Sequence, residues 1–457
     1  MPYIKKEIID RVLDAADTKQ VLDDFMELKK KGANWMGKSP FTDEKTASFS
    51  YSPAKGVWKD FSSGKGGNSA VSFLMAKEGY TYPQAIEYLA KKFGIEIEYD
   101  DSEYAKEVAK KEEHRNKLRP VLQSTINAFE KAFRELPKDH PAKKEVYGKR
   151  GYNDTIVEQY GIGYAPGNKF IYDQCVKHGV LNDAQALGLV SEKGDKWVDR
   201  VIYPLYERRG SSMFPVGLAG RRLGENKKYA KWINSPENEL YIKSRFWYGL
   251  NFAREQIVKR EEAWLVEGYN DVIGWQTHGI ENTVASSGTA ISKPQIRVLK
   301  KLCKRVVICF DPDGPGKKSM LRYIPDFLKE GFRVQLVFLP NTLDPDDFVR
   351  AYNLKGKKYD LTNFGTDRKR FRKDGFGFLV EQNFLNKDEV GKASEAKKLA
   401  EIVKKIDDEG MRELYSKWLS KDSGLPLPKI RNWTKPDPKD IEVNSPSLLP
   451  SNDEYYI

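Results

Sequence analysis

Three apolar runs between residues 263 and 347 each end in carboxylates, and few architectures accommodate that pattern. They read Ala263-Trp-Leu-Val-Glu267-Gly-Tyr-Asn-Asp271, Arg305-Val-Val-Ile-Cys-Phe-Asp311-Pro-Asp313, and Val334-Gln-Leu-Val-Phe-Leu-Pro-Asn-Thr-Leu-Asp344-Pro-Asp346-Asp347. Each run is short, β-branched or aromatic, and bounded by Gly or Pro, which suits a strand buried on both faces. Helical patterns at Lys293–Cys303 and Gly316–Glu330 lie between them, so strand and helix alternate. The alternation predicts a parallel α/β sheet whose carboxylates gather at the carboxyl ends of the strands, where such sheets bind ligands. Carboxylates this close repel unless a cation holds them, and hard oxygen donors suit Mg2+ or Mn2+.

A plainer explanation is that each acidic pair caps the helix that follows it, since Asp and Glu are favoured there. One cluster alone fits that explanation better than it fits a ligand set. Three clusters at equivalent strand ends in one series point to a divalent-metal site.

Charge and cysteine content frame what such a site acts on. Lys and Arg outnumber Asp and Glu by 78 to 66 in 457 residues, a net charge of +12 that suits a polyanionic partner. The length allows two to four domains. No apolar run approaches membrane-spanning length and the amino terminus lacks a signal-peptide core, so a cytoplasmic location and no membrane partner are expected. Of the three cysteines, Cys175, Cys303 and Cys309, the last two fall in apolar helix and strand patterns, so buried thiols are expected rather than a disulfide.

The chain reads as an α/β and α+β multidomain protein. Residues 1–99 open with a helix over Lys5–Ala16, continue as short strands with Gly and Pro turns, and close with a helical pattern over Asn68–Phe93. Residues 100–119 mix charges with almost no apolar stripe and form a linker or solvated helix. A basic mixed α/β portion follows at 120–259, then the acidic sheet at 260–350. A helical portion at 351–420 has Leu399, Ile402, Val403 and Ile406 on one face, and 421–457 is a Pro-rich loose tail.

At Glu267-Gly-Tyr-Asn-Asp271 and Asp311-Pro-Asp313-Gly the chain resembles the Toprim domain shared by bacterial-type primases, topoisomerases and some nucleases. Further segments narrow the resemblance to DnaG-type DNA primases. These are Arg150-Gly151 leading into Asp154–Pro166, then Asp199–Leu205, Gly220–Gly224, Lys231–Glu237, Lys243–Leu250 and Ala285–Ala290, in the family's order. The match covers about residues 35–420. It implies a DNA-directed RNA polymerase, a nucleotidyltransferase that joins ribonucleoside triphosphates into short RNA primers on a single-stranded DNA template during replication. A separate replicative helicase is the further partner it implies, since no phosphate-binding loop of a fused motor occurs. The short tail lacks the helicase-binding domain of many relatives, which suits a phage or mobile-element origin and a host cytoplasm.

Glu267, Asp311 and Asp313 are the expected catalytic metal ligands, with Asp271, Asp344 and Asp346 completing or tuning the site and Asp347 either a fourth such carboxylate or only a helix cap. In nucleotidyl transfer the 3′-hydroxyl attacks the α-phosphate, and the protein positions and neutralises charge without a nucleophile of its own. The resemblance assigns Arg150, Arg200, Arg221, Lys231 and Lys243 to template or nucleotide phosphates, and Asn234 to a sugar or phosphate. Taken singly, each is as readily a solvated surface charge. The run Arg368–Lys373 lies outside the matching motifs and reads equally as a nucleic-acid contact or a charged loop. Two other activities compete with this one: a Toprim-type nuclease or strand breaker, and a catalytically silent single-stranded-DNA-binding protein. The first does not need the Asp199–Leu205 and Lys231–Glu237 segments, and the intact Glu267, Asp311 and Asp313 oppose the second.

The amino-terminal match carries a departure. Ser39–Ser50 and Trp58–Asn68 resemble the two halves of the family's zinc ribbon, whose three Cys and one His are here Ser39, Thr42, Asp60 and Ser63. Residues 1–113 contain no His or Cys, and structural zinc takes thiolate and imidazole ligands. The expectation is therefore a zinc-free module held by Phe41, Phe49, Trp58 and Phe61 that still engages the template.

Overall fold

The computed structural model describes residues 3–436 apart from Lys45, Thr81, 101–102, 210–211, 225–228, Ser287, Thr289, Pro312, 340–342 and 355–371. Residues 368–371 of the basic run and the tail beyond 436 thus lie outside the described residues. Two compact units are present, Met1–Arg119 with Arg208–Phe214, and Pro120–Glu207 with the described residues from Pro215 onward. Among the described residues, no helix is long and apolar enough to cross a membrane.

In the first unit, helices Lys6–Ala15 and Thr18–Asp23 precede an antiparallel sheet of five strands in sequence order, from Lys29–Lys31 to Gly66–Gly67. Alternation along Val57–Asp60 turns Trp58 and Asp60 inward. Trp58 stacks on Phe49 with ring centroids 5.7 Å apart and meets Phe73 edge-on at 5.5 Å. Its indole nitrogen donates to Ser72 Oγ at 3.1 Å, so the buried ring keeps a polar partner. Phe41 stacks on the outer side of Trp58. Phe61 corrects the expectation: it follows the strand's last inward residue and is 68% exposed, so it contributes no core area.

The helical pattern Asn68–Phe93 is divided into Ala70–Glu78 and Tyr82–Lys92, because Gly79 adopts a left-handed conformation (φ 70°) that ends the first helix. The mixed-charge stretch is helical and belongs to Glu103–Glu135, in which Lys111–Glu107 and Lys117–Glu113 pair at i,i+4 spacing. The boundary between the two units falls at Pro120 inside this helix.

Among the described residues, the second unit holds two larger sheets beside the short antiparallel pair Val190–Ser191 and Gly194–Asp195. The strands Trp232–Asn234, Ser212–Arg222, Arg200–Arg209 and Gly163–Ala165 form one, in that spatial order. The other has the spatial order Thr283–Ala285, Glu262–Val266, Arg305–Ile308, Arg333–Val337, Arg372–Asp374. Its first four strands are parallel and the last is antiparallel. Helices Tyr269–Thr277, Lys293–Lys300, Gly314–Lys329 and Pro345–Leu354 connect or follow the parallel strands. Val306, Ile308, Val334 and Leu336 are fully buried, as strands covered on both faces require. Packed on this core are Gly375–Phe384, Glu389–Val403 and Glu409–Ser423, and the start of the expected loose tail is also helical, Leu427–Thr434. That helix forms because Ile430 is fully buried and Thr434 Oγ1 shares a 2.8 Å hydrogen bond with Ser416 Oγ. All three cysteines are buried and unpaired.

Candidate active site

The three acidic clusters converge at the carboxyl ends of adjacent parallel strands. Glu267 follows Glu262–Val266, and its Oε1 accepts from the Asp311 N–H at 3.2 Å, joining the ends of two strands. Gly316 makes the close approach possible. A Cβ there would lie 2.2 Å from the Asp311 carbonyl oxygen and 3.0 Å from Glu267 Oε1. Asp271 sits in the first turn of Tyr269–Thr277, and its Oδ2 accepts from the Gly268 N–H at 2.8 Å.

Capping accounts for part of the acidic pattern. Asp313 Oδ1 accepts from Gly316 N at 2.7 Å, and Asp344 Oδ1 from Asp347 N at 2.6 Å. Neither contact explains why the carboxylates are crowded. Burial, reinforced by Asp344, Asp311 and Asp346, pushes the Asp271 carboxyl up to about 8. Burial and the charges of Glu267, Asp344 and Asp313 push Asp311 up to about 7, against a lowering by Lys231. Burial raises Glu267 as well, opposed by the Asp311 backbone bond and assisted by Asp313. An all-oxygen donor set with this much uncompensated negative charge fits a hard divalent cation.

Asp346 differs from these carboxylates in having cationic partners. Fully buried, it gives Oδ2 to an ion pair with Arg150 Nη1 and lies 3.2 Å from Arg350 Nη2. Among the described residues its Oδ1 has no hydrogen-bond partner, and a Cβ on Gly274 would lie 2.9 Å from it. Asp347 pairs with Arg350. Asp344, Asp346 and Asp347 nonetheless have ligand atoms within 4.8 Å of one another.

The basic residues divide into two groups. Arg150, Arg200 and Arg221 are 9%, 5% and 8% exposed and have protein partners. Arg200 donates to the Gly220 and Ala230 carbonyls at 3.1 Å, bracing the sheet from within. Arg221 Nε lies 2.8 Å from Glu145 Oε1. By contrast Lys231 is exposed and close enough to Asp311 to lower its pKa, and Lys243 is half-buried. Asn234 accepts at 2.7 Å from the hydroxyl of Tyr269, which also packs on Trp232 with ring centroids 5.0 Å apart. The sheet carrying Lys231 and Asn234 is thereby fastened to the loop carrying Glu267. Glu145 and Arg350 carry no motif of their own, and Tyr269, though inside the Glu267–Asp271 motif, gives no sequence signal of its contact with Asn234.

In the first unit, Ser39, Asp60 and Ser63 form a hydrogen-bonded knot. The fully buried Asp60 accepts from Ser39 Oγ at 2.9 Å, Ser63 N at 3.0 Å and Ser48 Oγ at 3.2 Å, and from Ser63 Oγ. Burial opposes its ionisation, but these bonds hold its carboxyl below the usual value. Thr42 Oγ1 bonds Ser62 Oγ at 2.7 Å instead.

Three family matches tile the chain: the CHC2 zinc finger over residues 4–105, the DNA primase catalytic core N-terminal domain over 130–254, and a Toprim-like domain over 264–349. The DNA primase of Clostridium acetobutylicum is 31% identical over 431 residues, covering 92% of this chain and 68% of that protein. The DNA primase of Pseudomonas aeruginosa is 31% identical over 475 residues, covering 99% and 68%. Among solved structures, the Aquifex aeolicus primase (zinc binding and RNA polymerase domains) superposes with a TM-score of 0.57 at 27% identity, over 93% of this chain and 98% of that one. A DNA primase domain from Pseudomonas aeruginosa gives a TM-score of 0.59 at 30% identity, over 69% and 99%.

These matches overturn the expectation of no zinc cofactor. Residues 4–105 fall in the CHC2 zinc finger family, and the Aquifex structure is that of a zinc-binding domain with its polymerase domain, which points to zinc in such primases. The positions carrying Ser39, Thr42, Asp60 and Ser63 supply hydroxyls and one carboxylate, not the thiolates and imidazole of a structural zinc site.

Proposed function

This chain belongs to the DnaG-type DNA primase family, whose activity is RNA primer synthesis, and on that premise we propose how its own residues carry out the transfer. Residues 260–350 are the catalytic domain and 120–259 supply the basic wall beside it; along the chain these are accompanied by a template-engaging cysteine-free ribbon (1–99), the charged segment 100–119, the C-terminal part of the core (351–420) and the tail (421–457). Glu267, Asp311 and Asp313, with Asp271 and Asp344, would hold Mg2+ or Mn2+. That ion supplies charge neutralisation at the attacking and leaving oxygens. The observation that carries the reading is the convergence of Glu267 and Asp311 at the ends of adjacent parallel strands, joined by the 3.2 Å bond from the Asp311 N–H to Glu267 Oε1, where burial and mutual repulsion raise the Asp271 and Asp311 carboxyls.

The remaining work is positioning. Lys231, exposed and near Asp311, meets a phosphate oxygen of the incoming ribonucleoside triphosphate or of the single-stranded DNA template. Asn234, held at its side-chain oxygen by the Tyr269 hydroxyl, is positioned beside the loop carrying Glu267, where a sugar or phosphate would sit. Lys243 adds long-range attraction for the polyanion. Arg221 reaches phosphate through the part of its guanidinium that Glu145 does not occupy. Arg150 and Arg200 act from behind, the first by neutralising Asp346 and the second by bracing the strands. Asp346 gives one carboxylate oxygen to Arg150, and with Asp344 and Asp347 close by, its other oxygen would complete or tune the metal site.

Incorporation of labelled ribonucleotides on single-stranded templates of varied sequence, with and without added helicase, tests the reading. Template-dependent RNA products that require a divalent cation are expected. Degradation of the template without synthesis would contradict it.

A further inference from the structure

What aims Arg221 is a residue outside every motif. Glu145 stands in the π-helical turn Lys144–Lys149, where the Arg150 N–H reaches back five residues to the Glu145 carbonyl at 3.0 Å. Such turns carry one residue more than an α-helical turn and recur at functional sites. Here the turn sets the Glu145 side chain beside Arg150, whose Nε donates to Glu145 Oε1 at 3.1 Å. The same oxygen lies 2.8 Å from Arg221 Nε, on the strand Ser212–Arg222. Glu145 is 13% exposed, so little water competes for these contacts.

We propose that Glu145 is a positioning residue for nucleotidyl transfer, holding Arg221 by Nε so that its two Nη nitrogens form an end-on fork for phosphate oxygens. The proposal rests on the reading of Arg221 as a phosphate contact. A guanidinium binds phosphate in a planar fork, and a partner on Nε leaves only the end-on edge for it. Two further contacts direct that edge. Arg221 lies over the ring of Trp232, its partner on the adjacent strand, at 5.8 Å. Trp232 in turn packs on Tyr269, two residues beyond Glu267. Arg150, the other guanidinium held by Glu145, is bound by Asp346. The series Arg221, Glu145, Arg150, Asp346 alternates in charge, so Glu145 is not drawn away from Arg221 by an unmatched cation.

Steady-state primer synthesis by the full chain tests this with Glu145→Ala, Glu145→Gln, Arg221→Ala and the double variant of Glu145→Ala with Arg221→Ala. Glu145→Ala is expected to raise the nucleotide KM about tenfold with kcat within about twofold, the signature of lost binding rather than lost chemistry. Glu145→Gln keeps an oxygen that accepts from Arg221 and should raise KM only about threefold; it carries the test if the alanine variant does not fold. The double variant should be no worse than Arg221→Ala, because the two residues act through one contact. A lowered kcat and melting temperature with KM unchanged, or additive effects in the double variant, would reduce Glu145 to a structural residue and overturn the proposal. A KM raised by Arg221→Ala but by neither Glu145 variant would overturn it alone, whereas an Arg221→Ala protein with unchanged KM for both nucleotide and template would remove the phosphate reading beneath it.

Discussion

Acidifying the metal-free protein from pH 8 to pH 6 should stabilise it, against the usual behaviour of paired carboxylates. Burial beside Asp344, Asp311 and Asp346 pushes Asp271 up to about 8 in the folded chain, while an unfolded Asp titrates near 4. Over this window the unfolded state holds no proton on Asp271, and the folded state takes one up as the pH falls through its raised pKa. Stability therefore falls as pH rises, and the difference between pH 6 and pH 8 from this one group is about 2 kcal/mol. In a unit of this size that corresponds to a melting shift of about 4 °C. The assay is thermal unfolding in EDTA at both pH values, for the natural chain and for Asp271→Asn. The Asn variant keeps the acceptor for the Gly268 N–H and removes the titration, so it should lose that share of the pH dependence. Saturating Mg2+ should shrink the slope in the natural chain, because a bound cation favours the ionised carboxylates. Equal slopes in the natural and Asn chains without metal would refute the claim that Asp271 is crowded by uncompensated charge.

Other consequences follow from particular contacts. Arg150→Ala leaves the fully buried Asp346 with Arg350 alone and should cost about 3 kcal/mol, read by denaturant unfolding. Lys231→Ala should weaken template or nucleotide binding and reduce the salt slope by about one, measured as affinity against ionic strength. In the first unit, Trp58→Ala should destabilise by about 3–5 kcal/mol, since its ring sits among Phe49, Phe41 and Phe73. Phe61→Ala, at a 68% exposed position, should change stability by no more than about 0.5 kcal/mol in the same unfolding assay.

The parallel sheet was legible because its signal is local. Ala263–Val266 and Val306–Cys309 are unbroken apolar runs, and each ends on a carboxylate that the chain itself places at the strand's end. The convergence of Glu267 and Asp311 follows from parallel pairing of adjacent strands, which the alternation of strand and helix implies. The ion pair of Arg150 with Asp346 was not legible, since 196 residues separate them and neither flanking sequence signals the other. Glu145 was hidden for a similar reason: its contact with Arg221 depends on a π turn that no periodicity marks. Residue type also misled where exposure decides. Phe61 looks like core until the strand Val57–Asp60 ends one residue before it, and Arg200 looks like a phosphate ligand until its donors are found on backbone carbonyls. The Pro-rich composition after Ser420 concealed a short helix, because one apolar anchor, Ile430, was enough to fasten it.

Primer synthesis by Asp311→Ala, with Mg2+ as the only divalent cation, tests the central claim most directly. Asp311 lies where Glu267, Asp344 and Asp313 crowd one another, so removing its carboxylate takes a ligand from the site and also relieves repulsion. The account predicts a folded protein, with a melting temperature in EDTA no lower than that of the natural chain, whose templated ribonucleotide incorporation falls to background. Near-normal synthesis by that folded variant would contradict it.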